Sequence, residues 1–387
     1  MKKSIFMVAL AALAMTSCSQ DEILEVKKDA ISFEVVSDNA SRATVTTATT
    51  LESFKVYGYV TEDGEKKTYI DGLTTTKSGS KYTLADGYYW PSNAVDFYCI
   101  SNADLSLDDT NTLSAYYSVL NDHNDDLLYS VLKGQTKEGL TGGTAPLNFR
   151  HALAMVQFQV KSLATYGLDV VVDKIQLCNV AQSGKYTLPN YTTNPNLADP
   201  NEEVEANDAN AGIVDNGNEE EGDANEFRTR GSWALKDVVE EAYTWTVGGE
   251  DGLSALASTN SGDQLSDASE TFFLMPQTFT AAVPASGAWN GAYFLINCTV
   301  TKNGVKLHDD KVAIPASAIG QEDTEWKEGY KYVYTLTFGQ GGGYQPGTTD
   351  PVVIPISFSV TVDQFQNAAD EVQVQVPAVD VTPVNAD

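Results

Sequence analysis

Residues 354–362 read Ile-Pro-Ile-Ser-Phe-Ser-Val-Thr-Val, and this stretch indicates the fold class. Large apolar side chains occupy every second position, and serine, threonine or proline stands between them. Because successive side chains of a β-strand point to opposite faces, this period of two predicts a strand with one buried face. One buried face is typical of antiparallel sheets.

The same alternation recurs along the chain, with turn residues such as Asp-Gly and Asn-Gly between the runs. No long segment has helical periodicity, and residues 235–242 are the best short helix candidate. The sequence therefore predicts an all-β protein built from antiparallel β-sandwiches. The other predicted strands lie at residues 31–36, 54–60, 88–90, 95–100, 154–160, 170–180, 271–275, 293–300 and 331–338.

Composition excludes one class of partner and sets the size of the fold. The 387 residues include 24 Lys and Arg against 53 Asp and Glu, which gives a net charge of −29. A nucleic-acid partner is excluded, because phosphate binding needs a basic face. The hydrophobic share of 42% is enough for packed cores, and the length is enough for two or three domains.

The N-terminus predicts export. Residues 1–17 contain two lysines, an apolar run and small residues, which is the pattern of a secretory signal peptide. Cys18 follows directly, and the junction resembles a bacterial lipobox. The resemblance implies acylation of the Cys18 thiol and attachment to the outer membrane. The alternative is an ordinary cleaved signal that leaves Cys18 as a free thiol.

No constellation of catalytic residues is present in the sequence. Nucleophile elbows, P-loops and zinc-protease motifs are all absent, so we predict no enzyme, no cofactor and no metal site. His123 and His308 are interpreted as surface residues. His151 opens a strong strand, and we expect it to bond a neighbouring backbone carbonyl.

The three remaining cysteines, Cys99, Cys178 and Cys298, lie in strand-like runs and are interpreted as inert core thiols, with one disulfide as the alternative. Residues 186–227 contain eleven acids and no Lys or Arg, which predicts a solvated surface loop. A calcium site is the alternative for this loop, because carboxylates suit hard cations. Residues 339–351 are rich in glycine and predict a flexible linker.

The C-terminal tail is unusually apolar. Valines recur at a period of two, interrupted by Pro377 and Pro383, with almost no other turn residues, so the segment is suited to adding to a sheet edge. Pairing with an edge of its own domain is the alternative. The valines are Val372, Val374, Val376, Val379 and Val381.

A short strand near the N-terminus precedes an isolated basic residue. Ile31, Phe33 and Val35 alternate with more polar residues, and Arg42 then lies in a polar loop before Ala43. An exposed arginine in such a loop is a candidate site for a trypsin-like protease.

Together these features resemble the Bacteroidales fimbrillin family, the pilins of type V pili. Three aromatic segments and the lipoprotein signal with its later arginine are similar to that family, in the same order along the chain. The three segments are Tyr-Tyr-Trp-Pro with Val-Asp-Phe-Tyr at 88–98, Leu-Asn-Phe-Arg-His-Ala-Leu-Ala at 147–154, and Trp-Lys-Glu-Gly-Tyr-Lys-Tyr-Val-Tyr at 326–334.

The resemblance implies two transthyretin-like antiparallel β-sandwich domains. It divides the chain into a signal peptide at 1–17 and a lipidated propeptide with the first strand at 18–42. An N-terminal domain at 43–144 follows, and a C-terminal domain at 145–387 carries the acidic loop 186–227 and a donor tail at 352–387.

The resemblance also implies a route of assembly. An arginine-specific protease would cleave between Arg42 and Ala43, and the strand with Ile31, Phe33 and Val35 would be displaced. The valine tail of another copy, or of a related pilin, would replace it. The lipoprotein precursor at the outer membrane would thus become a cell-surface fimbrium that adheres to a host or bacterial ligand.

Two other hypotheses stay open at this point. One is a monomeric surface lipoprotein that binds a glycan or a host ligand through Tyr88, Tyr89 and Trp90. The other is a secreted hydrolase, which the absence of catalytic motifs disfavours.

Overall fold

The computed structural model describes residues 30–35, 51–85, 88–102, 104–119, 126–189, 231–236, 238–258, 262–316, 325–364 and 374–375. These ranges form β-strands, turns and two single-turn 3-10 helices, Lys137–Gly139 and Thr141–Gly143. The prediction of an all-β fold made of sandwich-like sheets is confirmed, whereas the transthyretin-like detail stays a prediction. Within the described ranges, no helix combines the length and apolar character needed to cross a bilayer.

The first half of the described chain forms a sheet of eight strands, ordered β8-β1-β4-β3-β2-β5-β7-β9. Its core contains aromatic and branched side chains from alternate strand positions, as the period of two predicts. The strands of this half are β1 Ser32–Val35, β2 Lys55–Glu62, β3 Glu65–Ser78, β4 Lys81–Leu84, β5 Val95–Ile100, β6 Tyr117–Ser118, β7 Leu128–Gln135, β8 Thr144–Leu147 and β9 Arg150–His151.

The second half forms a larger sheet along the path β14-β11-β19-β20-β22-β10-β16. β22 pairs in parallel with β10 and antiparallel with β23. The strands are β10 Ala154–Ser162, β11 Asp169–Ala181, β12 Ser183–Thr187, β13 Ser232–Leu235, β14 Val238–Thr246, β15 Leu253–Leu256, β16 Gln264–Leu265, β17 Phe272–Leu274, β18 Gln277–Thr278, β19 Tyr293–Lys302, β20 Val305–Pro315, β21 Glu325–Trp326, β22 Tyr330–Tyr344, β23 Pro351–Gln364 and β24 Val374–Gln375.

A small sheet joins the two halves. β6 of the first half pairs with β12 of the second, and β13 completes the order β13-β12-β6. One continuous apolar cluster contains buried residues of both halves, among them Tyr57 from β2 and Phe158 from β10. The two halves therefore share buried surface as well as a connecting chain.

The prediction of a flexible linker at 339–351 is wrong for its first half. Residues 339–344 belong to β22, and a turn at 345–350 then leads into β23. Gly341 has a φ of +98°, and a Cβ at this position would lie 2.6 Å from the carbonyl oxygen of Ile356. Here glycine allows two backbones to approach each other, which is a different role from flexibility.

Two further sequence predictions need correction. The helix candidate at 235–242 is instead the end of β13 and the start of β14. The acidic loop was predicted to begin at Tyr186, but Tyr186 and Leu188 are buried, at 1% and 6% exposure. Residues 190–227 of that loop, and His123, lie outside the described residues.

Candidate assembly site

The first strand lies in the interior of its sheet rather than at an edge. β1 pairs antiparallel with β4, where Phe33 lies opposite Tyr82, and in parallel with β8, where Phe33 lies opposite Ala145. Both sides of its backbone therefore take part in sheet pairing. A parallel and an antiparallel neighbour define one gap of fixed width, which only an extended chain can fill.

The side chains of β1 reach into the core of the first sheet. Ile31 and Phe33 are buried, at 1% and 0% exposure. The Phe33 ring packs edge-on against the rings of Phe54 and Phe97, with centroid distances of 6.0 Å and 5.2 Å. Val35 is half-buried against the same cluster. All three predicted residues therefore face the core, as the alternation at 31–35 predicts.

Polar contacts fix the beginning of the strand and its neighbours. The backbone amide of Ile31 donates to the carbonyl of Tyr88 at 2.8 Å. The hydroxyls of Ser32 and Thr144 lie 3.0 Å apart, and the Lys81 ammonium donates to the Thr144 hydroxyl at 3.0 Å. A strand that replaced β1 would have to satisfy the backbone groups of β4 and β8 as well as the apolar pockets.

The predicted processing residues follow β1 in the sequence. The described chain ends at Val35 and begins again at Leu51, so Arg42 and Ala43 lie outside the described residues. The same is true of Cys18. Their roles stay predictions.

The first part of the predicted donor tail pairs with a strand of its own chain. β23 pairs with β22 along its length, and Ile354, Ile356, Phe358 and Val360 are buried in the second core. This leaves the segment after Gln364 as the part of the tail that β23 does not use.

Only a fragment of the valine tail is described. Val374 lies opposite Val362 in the pairing of β24 with β23. This contact corresponds to the alternative in which the tail lies on an edge of its own domain. The other predicted donor residues, Val372, Val376, Val379 and Val381, lie outside the described residues.

The second and third aromatic segments meet where the two halves join. The hydroxyls of Tyr129 on β7 and Tyr186 on β12 both donate to Glu328 Oε1, the latter at 2.8 Å. Burial and the nearby Glu328 carboxylate raise the pKa of both tyrosines well above the usual value, so both remain neutral donors. The Gly329 amide donates to the carbonyl of Leu153 at 2.9 Å.

Sequence reasoning missed this network, although Glu328 stands in the quoted segment 326–334. A glutamate inside an aromatic strand motif was the available signal, because such a residue is rarely buried without partners.

His151 has a carboxylate partner in the structure. The ring nitrogen Nδ1 lies 2.5 Å from Asp126 Oδ2, so His151 contacts a carboxylate where a backbone carbonyl was expected. The Asp126 side chain is 1% exposed. His308 is partly exposed, and its Nε2 contacts the carbonyl of Asp310 at 3.1 Å.

The candidate glycan-binding aromatics pack mainly against their own sheet. The Trp90 indole donates to the carbonyl of Gly143 at 2.9 Å, and its ring contacts Phe97. Tyr88 is half-buried against the first core, and Tyr89 is 38% exposed. The three rings therefore do not form an open stacking surface.

The three described cysteines are all buried free thiols. Burial raises the pKa of Cys178 to about 11 and that of Cys298 to about 12. Their interpretation as core residues agrees with this burial. Among the described residues, no group of three or more His, Cys, Asp or Glu is arranged to hold a metal ion.

Comparison with known proteins gives one family match. A family model described as fimbrillin-like matches residues 41–362. No curated protein matches the chain significantly.

Several solved structures are similar. A putative cell adhesion protein from Bacteroides uniformis has 13% identity and a TM-score of 0.47, covering 88% of this chain and 99% of its own. A fimbrial protein from Bacteroides vulgatus has 15% identity and a TM-score of 0.46, covering 86% and 98%. The fimbrial anchor protein Mfa2 from Porphyromonas gingivalis has 10% identity and a TM-score of 0.32, covering 90% and 99%.

Proposed function

The chain belongs to the fimbrillin-like family, and from this premise we propose that it is a structural pilin subunit that polymerises by donor-strand exchange. Family membership supports a pilin-like role at the cell surface and a structural rather than an enzymatic protein. The exchange itself is the part that we propose. In it, β1 leaves the first sheet and an extended strand of another subunit takes its place.

The maturation route follows from the N-terminal sequence. The precursor is exported and anchored at the outer membrane by acylation of Cys18. An arginine-specific protease then cleaves between Arg42 and Ala43, in the segment that connects β1 to Leu51. Cleavage converts β1 from a covalent part of the sheet into a separate peptide, whose departure is favoured by its gain in freedom.

The interior position of β1 is the observation that carries this proposal. Its loss uncovers the pairing edges of both β4 and β8, together with the pockets of Ile31 and Phe33. Each buried side chain is worth about 1.5–3 kcal/mol, and backbone hydrogen bonds add to it. An open gap of this kind is unfavourable in water, so a replacement strand with alternating apolar residues is strongly stabilised.

The segment beyond β23 supplies such a strand. Val372, Val374 and Val376 have the same period of two as Ile31, Phe33 and Val35. Pairing of β24 with β23 gives this segment a resting place before exchange. Occupied edges in the precursor also protect against premature association.

Proteolysis of the purified precursor tests the proposal. Treatment with an arginine-specific protease should produce SDS-resistant ladders. Arg42→Gln should abolish both the cleavage and the ladders. Arg228→Gln is the matched control, because it removes another arginine of the chain and should leave the ladders intact. Ladders that persist in Arg42→Gln would contradict the proposed processing site, and ladders that persist after deletion of residues 366–387 would contradict the donor.

A further inference from the structure

The space that β1 occupies between β4 and β8 is called the acceptor slot here. Its central position is a deep pocket filled by the Phe33 ring. Small Ala145 lies opposite Phe33 on one side, and Tyr82 lies opposite on the other. The Phe54 and Phe97 rings close the pocket at centroid distances of 6.0 Å and 5.2 Å. Phe33 has 0% exposure, so the ring is fully enclosed by its neighbours.

The pocket is built around a large side chain. Phe97 is itself backed by Trp90, and Phe54 by Tyr82 and Phe149, with centroid distances of 5.7 Å, 4.9 Å and 5.0 Å respectively. Tightly packed aromatic walls relax only partly when a smaller group replaces a ring, so a void remains. The slot therefore discriminates between donor strands by the size of the side chain at its centre.

The chain's own tail does not supply a large group there. Residues 372–376 read Val-Gln-Val-Gln-Val, so the three valines have the same spacing in sequence as Ile31, Phe33 and Val35. With these three valines in the slot, Val374 meets the Phe33 pocket in either strand direction, because it is the middle residue.

Other registers give the same result. Beyond Phe365 the tail contains no aromatic residue, and Phe365 has Asp363 and Asn367 as its neighbours on the same face. A register that placed Phe365 in the pocket would bury these two polar side chains at the outer positions, which is unfavourable.

We propose that the acceptor slot receives the C-terminal strand of a different pilin subunit, one with a bulky aromatic residue at the centre of its alternating apolar run. This inference rests on the proposed strand exchange and narrows its partner. A second copy of this chain is then the weaker donor, and the subunit takes its place in a fibre of mixed composition.

The expected discrimination is measurable. A valine in a pocket shaped for phenylalanine loses ring contacts and leaves a cavity. Both effects lower the binding constant of the donor strand. We expect at least about a tenfold difference, which corresponds to about 1.4 kcal/mol.

Peptide binding to the processed full chain tests the inference. Fluorescein-labelled peptides of residues 366–387 are compared by anisotropy in the native sequence, with Val374→Phe, and with Gln375→Phe. The last is the matched control, because it adds the same ring on the opposite face of the strand. A peptide of residues 28–37, which contains β1, reports that the slot is open.

Tighter binding of the Val374→Phe peptide by tenfold or more, without a gain for Gln375→Phe, supports the inference. If the β1 peptide binds while the native tail binds as tightly as Val374→Phe, the inference is wrong and strand exchange stands. If no peptide binds, including the β1 peptide, the slot does not open, and both the proposed function and this inference are wrong.

Discussion

Replacement of Phe33 by alanine in the uncleaved precursor should destabilise the first sheet by about 3–5 kcal/mol, the usual cost of truncating a fully buried phenylalanine. The structure places this residue at the upper end of that range. Its ring is 0% exposed, and it contacts two other aromatic rings in the interior of the sheet. The walls of the pocket come from separate segments of the chain, so they cannot easily close over the void.

Native-state hydrogen exchange is the appropriate assay, because two halves with separate sheets need not unfold in one transition. The free energy of opening is read from the slowest amides of β2 and β5. Val353→Ala is the control, because Val353 is 87% exposed and its truncation should change stability by less than about 0.5 kcal/mol. The amides of β2 and β5 should exchange faster in Phe33→Ala than in Val353→Ala. If they are equally protected in the two variants, β1 is not part of the core, and the reasoning behind the acceptor slot fails.

Three other predictions concern the second half and the junction. Gly341→Ala should lower the unfolding free energy of the second sheet by more than about 1 kcal/mol, because the new Cβ would lie 2.6 Å from a backbone oxygen of β23. Gly342→Ala is the control, because a Cβ at that position has no atom within 4 Å. Equal losses of stability for the two variants in urea titrations would contradict this prediction. Tyr186→Phe should cost about 1–3 kcal/mol in the same titrations by removing a buried hydrogen bond to Glu328, and an unchanged midpoint would argue against the network. Burial raises the pKa of Cys178 to about 11, so its alkylation by iodoacetamide should be slow at pH 8 and accelerate towards pH 11, whereas fast labelling of the native chain at pH 8 would show that the thiol is exposed.

The period of two predicted the strands themselves well. Ile31 and Phe33 alternate with polar residues in the sequence and face the core in the structure. The same rule succeeded for Ile356 and Phe358. Alternation reports which face of a strand is buried, but it carries no information on which strands lie beside it. The interior position of β1 between β8 and β4 therefore could not be predicted from these residues.

The failures have separate physical causes. A glycine-rich stretch such as 339–344 predicts flexibility, but glycine is also needed wherever two backbones pack closely, as at Gly341. At 235–242 the spacing of apolar residues suggested a helix, although the β-branched pair Val238 and Val239 favours a strand. A short apolar run does not distinguish the helical period of about 3.6 residues from the strand period of two.

The hydrogen bonds of Tyr129 and Tyr186 to Glu328 join residues that are far apart in the sequence. Tyr129 and Glu328 are 199 residues apart in sequence, and Tyr186 and Glu328 are 142 apart. Local patterns cannot pair residues at such distances, because the pairing is decided by how whole sheets pack. The quoted motif around Glu328 marked the residue without indicating its partners.

The N-terminal residue of the subunit in assembled fibres tests the central claim most directly. Surface fibres are sheared from cells, dissociated, and the subunit is analysed by N-terminal sequencing and intact mass. The account predicts a chain that begins at Ala43 and has lost β1. A subunit in the fibre that still carries Ile31 and Phe33 covalently attached would show that polymerisation occurs with the first strand in place, and would contradict strand exchange at this site.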